Sequence, residues 1–212
     1  MTSTSLFLTT PRLALREFQL ADWRAVLAWA GDPAVVAPMA VEPFDAVAAK
    51  AYVARMVASQ LVRPRRRWEV AIIERRSGQM IGACGLNNQV TTATLGYALA
   101  RDCWGAGYAT EAAIAVLSHG FERLALTRVV ASCPAGHAQS ARVLTKLGFA
   151  RRPPRWWERW WGGALWRFEM AAPVWTHRSL RHLDGTGTGP AWQISNASAP
   201  MSISGSTPML LP

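Results

Sequence analysis

The first clear pattern along this chain is an alternation. In "RLALREF" (12–18) Leu13 and Leu15 fall on one side and Arg16 on the other, the period of two left by a half-buried strand. The period then lengthens. "LADWRAVLAWAGDP" reads as a helix, with Asp22 near its start, Gly31 at its C-cap and Pro33 beyond. A second helix is predicted from Asp45 through "FDAVAAKAYVARMVASQ", with Val47, Ala51 and Met56 on its apolar stripe. After an arginine run the periodicity changes. "RWEVAIIE" (67–74) and "QMIGACGL" (79–86) are predicted as antiparallel partners joined at "RRSG", and "ATLGYALA" (93–100) follows a turn at "NNQVTT". A glycine segment leads into a predicted helix at 110–126. "TRVVASC" follows as a short buried strand, then "SARVLTKLGF" (140–149) as a short helix closed by Gly148. An aromatic hairpin, about 155–161 and 164–171, turns at Gly162–Gly163. The succession β, α, α, three antiparallel strands, α, β, α, ββ predicts an α+β fold with a mixed sheet in one domain, spanning 8–175. From about residue 178 the sequence is rich in Gly, Ser, Thr and Pro and has no period, so 178–212 is predicted as a disordered tail.

Composition narrows the functional classes. With 212 residues, half of them hydrophobic, the chain is long enough for one ordinary domain and a tail. No apolar run approaches the roughly 18 residues of a membrane span, and the opening "MTSTSLFLTTPRLALREF" has no signal-peptide pattern. A cytoplasmic protein without a membrane partner is expected. Cys84, Cys103 and Cys133 are odd in number and form no CxxC pair, which predicts neither a disulfide framework nor a metal site. They read as small buried hydrophobes. The net charge of +10 is almost all arginine, since only Lys50 and Lys146 are lysine. Arginine suits phosphate, but Arg and Ala crowd the whole chain, so coding bias is the simpler reading and a nucleic-acid partner is not expected. The run "RPRRRW" (63–68) is read as a solvated loop, with a phosphate-facing patch as the alternative.

The candidate chemistry lies in "WGAGYATEA" (104–112). Gly105 and Gly107 stand between a strand ending near Ala100 and a helix starting near Thr110. A helix N-terminus presents unpaired N–H groups and the positive end of its dipole, and glycines let an anion approach the backbone. The arrangement reads as a phosphate cradle, with a plain tight turn as the alternative. It is neither a Walker loop, having no lysine, nor a dinucleotide GxGxxG, since Ala109 and Thr110 take the later positions.

The stretch "LGYALARDCWGAGYATEAAIAVLSHGFERLALTRVVASCPAGHAQSARVLTKLGF" closely resembles the GNAT acetyltransferases, in particular the branch of ribosomal-protein N-terminal acetyltransferases. "LTTPRLALREFQLADW" and "SGQMIGACGL" resemble the same branch, and the likeness spans about residues 8–172 in order. It implies the GNAT fold, a mostly antiparallel central sheet flanked by helices. It also implies acetyl-CoA as co-substrate, with its pyrophosphate gripped among Gly105, Ala106, Gly107, Tyr108, Ala109 and Thr110. Trp104 would pack beside the pantetheine or the core, and backbone near Leu99 would hold the thioester carbonyl. Transfer would run directly to an amine in a ternary complex, with no cysteine nucleophile. The acceptor would be a protein N-terminus or a small-molecule amine.

Family members commonly read Asn-x-x-Ser where this chain has His137 and Ser140. Ser140 reads as the cap of the short helix, as a hydroxyl that returns a proton to the leaving thiolate, or as both. His137 is expected to contact CoA, with a general-base role as the alternative. Many relatives carry a glutamate where this chain has Thr94, and no acidic residue lies between Glu74 and Asp102. This leaves a rival reading: a non-catalytic acyl-CoA-binding module. Glu111 in the first helical turn and His119 in mid-helix read as structural, His119 alternatively as a surface residue. Trp156, Trp157, Trp160 and Trp161, with Arg155 and Arg159, read either as a wall of the acceptor groove or as a capping strand pair. A homodimer contact instead of a groove wall is a further reading of the same hairpin.

Overall fold

The computed structural model describes residues 6–153 and 165–175. The chain enters through β1 (Phe7–Thr9) and β2 (Leu13–Glu17), then builds three helices, α1 (Trp23–Ala30), α2 (Pro33–Val36) and α3 (Ala46–Leu61). A meander follows: β3 (Arg67–Glu74), β4 (Met80–Gln89) and β5 (Thr92–Leu99). Helix α4 (Tyr108–Arg123), β6 (Arg128–Pro134), α5 (Ala138–Leu147), β7 (Ala150–Arg152) and β8 (Leu165–Ala171) complete the described order. The strands form one sheet in the order β1-β2-β3-β4-β5-β6-β8-β7. Only β5 and β6 run parallel; the other neighbours are antiparallel. The α+β architecture expected from the pattern is the one observed.

Alternation on the central strands builds two cores, one on each face of the sheet. On one face Val70, Ile72, Cys84 and Leu86 join α4 and α5 side chains such as Val116, Leu117, Leu144 and Leu147. On the other, Ala71 and Ala83 leave room for Val26, Trp29, Val53 and Met56 of α1 and α3. Burial on both faces explains why β3 reads as a nearly unbroken apolar run. Asp45 caps α3, accepting from the Ala48 N–H at 2.7 Å, and Gly148 closes α5 at φ 90.

Several expectations change. The buried stripe of α3 is Ala49, Val53 and Met56; Val47 is 75% exposed and Ala51 is also on the solvent side. In so alanine-rich a helix the apolar period is too shallow to choose the face. The strand β1 was not expected. The turn "NNQVTT" shrinks to Val90 and Thr91, because Asn87, Asn88 and Gln89 remain paired with Thr94, Ala93 and Thr92. Arg65 is not solvated: its side chain is 6% exposed, ion-paired with Glu17 and stacked over the Trp68 ring at 4.2 Å. Among the described residues no helix is long and apolar enough to cross a membrane. The first arm of the aromatic hairpin, with its four tryptophans, Arg155, Arg159 and Gly162–Gly163, lies outside the described residues, as does the tail expected at 178–212.

His119 is structural, not superficial. It is 9% exposed on α4, with its ring 5.2 Å from that of Trp68 and neither nitrogen hydrogen-bonded within the described residues. Burial, with Arg65 and Arg123 nearby, pushes its pKa down to about 4. The unfolded chain, titrating near the ordinary imidazole value of about 6.5, therefore binds a proton that the folded chain refuses between those two values. Stability should hold above about pH 6.5 and fall as the pH drops toward about 4, by at most about 1.4 kcal/mol per pH unit from this group. Denaturant titrations of the wild type and His119→Leu across this range check it. The wild type should lose stability relative to the variant on acidification, and parallel pH curves would refute the assignment.

Candidate active site

The site starts where two strands separate. β5 pairs with β6 only from Thr92 to Thr94, opposite Arg128 to Val130. Beyond that, β5 continues against β4 as far as Leu99, and β6 continues against β8 as far as Pro134. A wedge opens between them. Gly82 keeps the end of β5 tight on β4: a Cβ there would lie 2.2 Å from the Ala98 carbonyl oxygen. The Ala100 N–H donates to the Ile81 carbonyl at 2.8 Å, on the β4 side. Strand alternation then turns the N–H and C=O of Leu99 the other way, toward the wedge. Trp104 Nε1 donates to that Leu99 carbonyl at 2.9 Å, and the Trp104 ring packs against both cores.

A cavity of about 350 Å³ occupies the wedge. Of the positions singled out in the sequence, Leu99, Trp104, Gly105, Gly107, Tyr108, Ala109, Thr110, His137 and Ser140 line it. Ala106 does not; its carbonyl faces away and accepts from Arg12 Nη1 at 2.9 Å. The glycines are needed for their backbone. Gly105 and Gly107 have φ 76 and φ 84, and a Cβ on Gly105 would meet nothing within 4 Å. Helix α4 begins at Tyr108, two residues earlier than expected, because Gly107 in the left-handed region caps it. The N–H groups of Tyr108, Ala109 and Thr110 are thus first-turn donors without intrahelical acceptors.

The loop is tied down from the far end of the chain. Glu111 accepts from Thr10 Oγ1 at 2.6 Å, from the Arg12 N–H at 3.0 Å and from Arg12 Nε at 2.6 Å. The Arg12 guanidinium also covers the Tyr108 ring at 4.5 Å. Glu111 is structural, as expected, but Thr10 and Arg12 carry no local signal that would have pointed to this role.

At the other wall Ser140 is not the cap of α5. The helix starts at Ala138 with His137 as its N-cap residue, which places Ser140 inside the first turn. Its Oγ lies 2.8 Å from Tyr97 Oη, and that hydroxyl also donates to the Ser140 carbonyl at 3.2 Å. Tyr97, from "LGYAL", was missed in the sequence, where it reads as one more strand aromatic. Burial pushes its pKa up to about 12, so the phenol keeps its proton. Burial also holds the His137 imidazole below its ordinary value. Thr94 is exposed and does not line the cavity.

A family model described as acetyltransferase (GNAT) domain matches residues 12–150. The chain belongs to the GNAT acetyltransferase family. It is 31% identical over 147 residues to the uncharacterized N-acetyltransferase p20 of Bacillus licheniformis, covering 68% of this chain and 82% of that protein. It is 28% identical to the uncharacterized N-acetyltransferase YnaD of Bacillus subtilis, covering 76% of this chain and 97% of the relative. A GNAT-family acetyltransferase structure from Bacillus anthracis superposes with a TM-score of 0.66 at 21% identity, over 79% of this chain and 99% of that one. The ribosomal-protein-S5-alanine acetyltransferase of Vibrio fischeri gives a TM-score of 0.64 at 16% identity, covering 80% and 98%. The spermidine N-acetyltransferase of Vibrio cholerae, solved with CoA and spermine, gives 0.63 at 13%, covering 78% and 98%. At such identities these structures establish the fold. As a GNAT chain it is an acetyl-CoA-dependent acyltransferase.

The residues present fit that co-substrate. The cavity lining includes the α4 N-terminus and basic side chains, suited to phosphates, as well as the apolar Val35, Pro38 and Met39, suited to an acyl group. Among the described lining residues there is no carboxylate. Cys103 and Cys133 also line the cavity. Burial raises both thiols, Cys103 to about 11, so neither is a thiolate near neutrality. Gly107→Ala forces a Cβ onto a left-handed residue, at a cost of roughly 1–2 kcal/mol, and shifts the first-turn donors. Calorimetry should show acetyl-CoA affinity reduced about tenfold or more in a variant whose circular dichroism is unchanged; unaltered affinity would remove the loop from the binding site.

Proposed function

We propose that this GNAT chain transfers the acetyl group of acetyl-CoA directly to an amine, with donor and acceptor held together in the β5–β6 wedge. The observation that carries the proposal is the placement of the Leu99 N–H, turned into the wedge whose lining includes the α4 N-terminus and apolar side chains. Acetyl-CoA, when bound, supplies an activated thioester. The backbone N–H groups of Gly105 and of Gly107 to Thr110 hold its pyrophosphate. The Leu99 N–H is a fixed donor for the thioester oxygen and is already oriented, because the Leu99 carbonyl beside it is anchored by Trp104. His137, neutral because its pKa is lowered, serves as a contact to the donor. The amine loses its proton to solvent, since no carboxylate lines the described part of the cavity.

Ser140 and Tyr97 act as a pair. The phenol is protonated at neutral pH and lies against Ser140 Oγ, so a proton given up by that hydroxyl is replaced from Tyr97. A protein N-terminus is one acceptor class, as the name of the Vibrio fischeri neighbour suggests; a small-molecule amine, as in the Vibrio cholerae neighbour, is the other. Stepwise screening of N-terminal peptides and of small monoamines, with free CoA thiol as readout, tests the activity. Thiol release that requires an acceptor is the expected result. Tight acetyl-CoA binding without release for any amine would instead favour an acyl-CoA-binding module.

With an acceptor in hand, Tyr97→Phe should lower kcat roughly tenfold to a hundredfold while leaving KM for acetyl-CoA little changed. The double variant Tyr97→Phe/Ser140→Ala should be about as slow as the slower single variant. Fully additive losses would break the pair apart.

A further inference from the structure

The basic side chains of the wedge raise a question about the donor. Several arginines of the described residues are held in ion pairs. Arg12 pairs with Glu111, Arg16 with Asp22, Arg65 with Glu17, and Arg128 and Arg152 with Glu169. Arg142 and Lys146 take part in none of the ion pairs found among the described residues. Both are exposed on α5, and both line the same cavity as the α4 N-terminus. Their spacing of four residues places them one helical turn apart on one face.

A helical surface with two like charges four residues apart is mildly destabilised, and no lining carboxylate relieves it. Lys146 lies in the last turn of α5, where the helix dipole favours a cation. That accounts for Lys146 alone and gives no reason for Arg142 in mid-helix. A dianion seated between the two accounts for both, since arginine offers a planar fork of donors and lysine a compact charge.

We propose that Arg142 and Lys146 form a second phosphate subsite, separate from the glycine loop, that recognises the ribose 3′-phosphate of the donor. This rests on the reading of the wedge as an acetyl-CoA site. On this assignment the glycine loop, whose donors are backbone groups, grips the pyrophosphate common to CoA and 3′-dephospho-CoA. The α5 pair then decides between these two nucleotides.

The test is calorimetric titration of the full chain with CoA and with 3′-dephospho-CoA, repeated on Arg142→Ala/Lys146→Ala. The wild type should bind CoA at least tenfold more tightly than the dephospho form, as charge-assisted contacts to a phosphate warrant. The double variant should bind both with equal affinity, close to that of the wild type for dephospho-CoA. The wild-type preference should also shrink as salt is raised. Equal wild-type affinities would overturn the assignment, and so would a preference that survives in the double variant. If the wild type binds neither nucleotide, the reading of the wedge itself fails, and the subsite falls with it. Both side chains are exposed, so the thermal midpoint of the double variant should match the wild type within a few degrees. If it does not, Arg142→Gln and Lys146→Gln, which keep the stems and remove the charges, repeat the comparison.

Discussion

From Thr92 to Thr94 strand β5 is hydrogen-bonded to a parallel neighbour, and from Leu95 onward it has none on that side. The site depends on this separation. A ladder carried through to Leu99 would use the Leu99 N–H on β6 and fill the space that the cavity occupies. Forgoing those bonds costs about 1 kcal/mol each in net terms, and the fold compensates locally. Trp104 takes the Leu99 carbonyl, Gly82 lets β4 close on the far side, and the turn at Ala37–Met39 packs against β6 at the mouth of the wedge. What remains is a backbone donor that points into a partly apolar space, where such a group interacts more strongly than it does in water.

Charge is distributed around that space with a consistent sense. Two carboxylates lie beside the glycine loop, and both are engaged: Glu111 by Thr10 and Arg12, and Glu74 by the Tyr108 hydroxyl at 2.6 Å. The Glu111 contacts hold the loop to the start of β2, nearly a hundred residues earlier. Preorganisation of this kind keeps the donors in place before any ligand arrives. On the opposite wall the tyrosine–serine pair brings together a strand and a helix that meet only because α4 and α5 pack side by side on one face of the sheet.

Much of this was legible residue by residue. The strand at 67–74 is where the change of pattern after the arginine run put it, Asp45 and Gly148 bound their helices, and the glycine pair lies between a strand and a helix as its spacing demanded. The errors have physical causes. Three-residue β1 is too short to show a period. Asn87 to Gln89 are turn-forming residue types held in a strand by pairing with β5. The apolar face of α3 is set by which alanines meet the sheet. Arg65 was read as solvated because nothing local marks Glu17 as its partner.

By itself, the sequence determined most of the elements and their order, marked the glycine segment between a strand and a helix, and through its resemblance pointed to the family. The elements and the glycine segment rest on interactions within a few residues, such as capping, alternation and the left-handed freedom of glycine. Only the tertiary structure decided that Ser140 faces Tyr97 instead of capping its helix, that Arg12 and Thr10 secure the loop, and that Leu99 presents a free donor. These depend on strand register and on which groups are left without a neighbour. Contacts between residues 43 to 101 positions apart leave no periodicity in the sequence from which to read them.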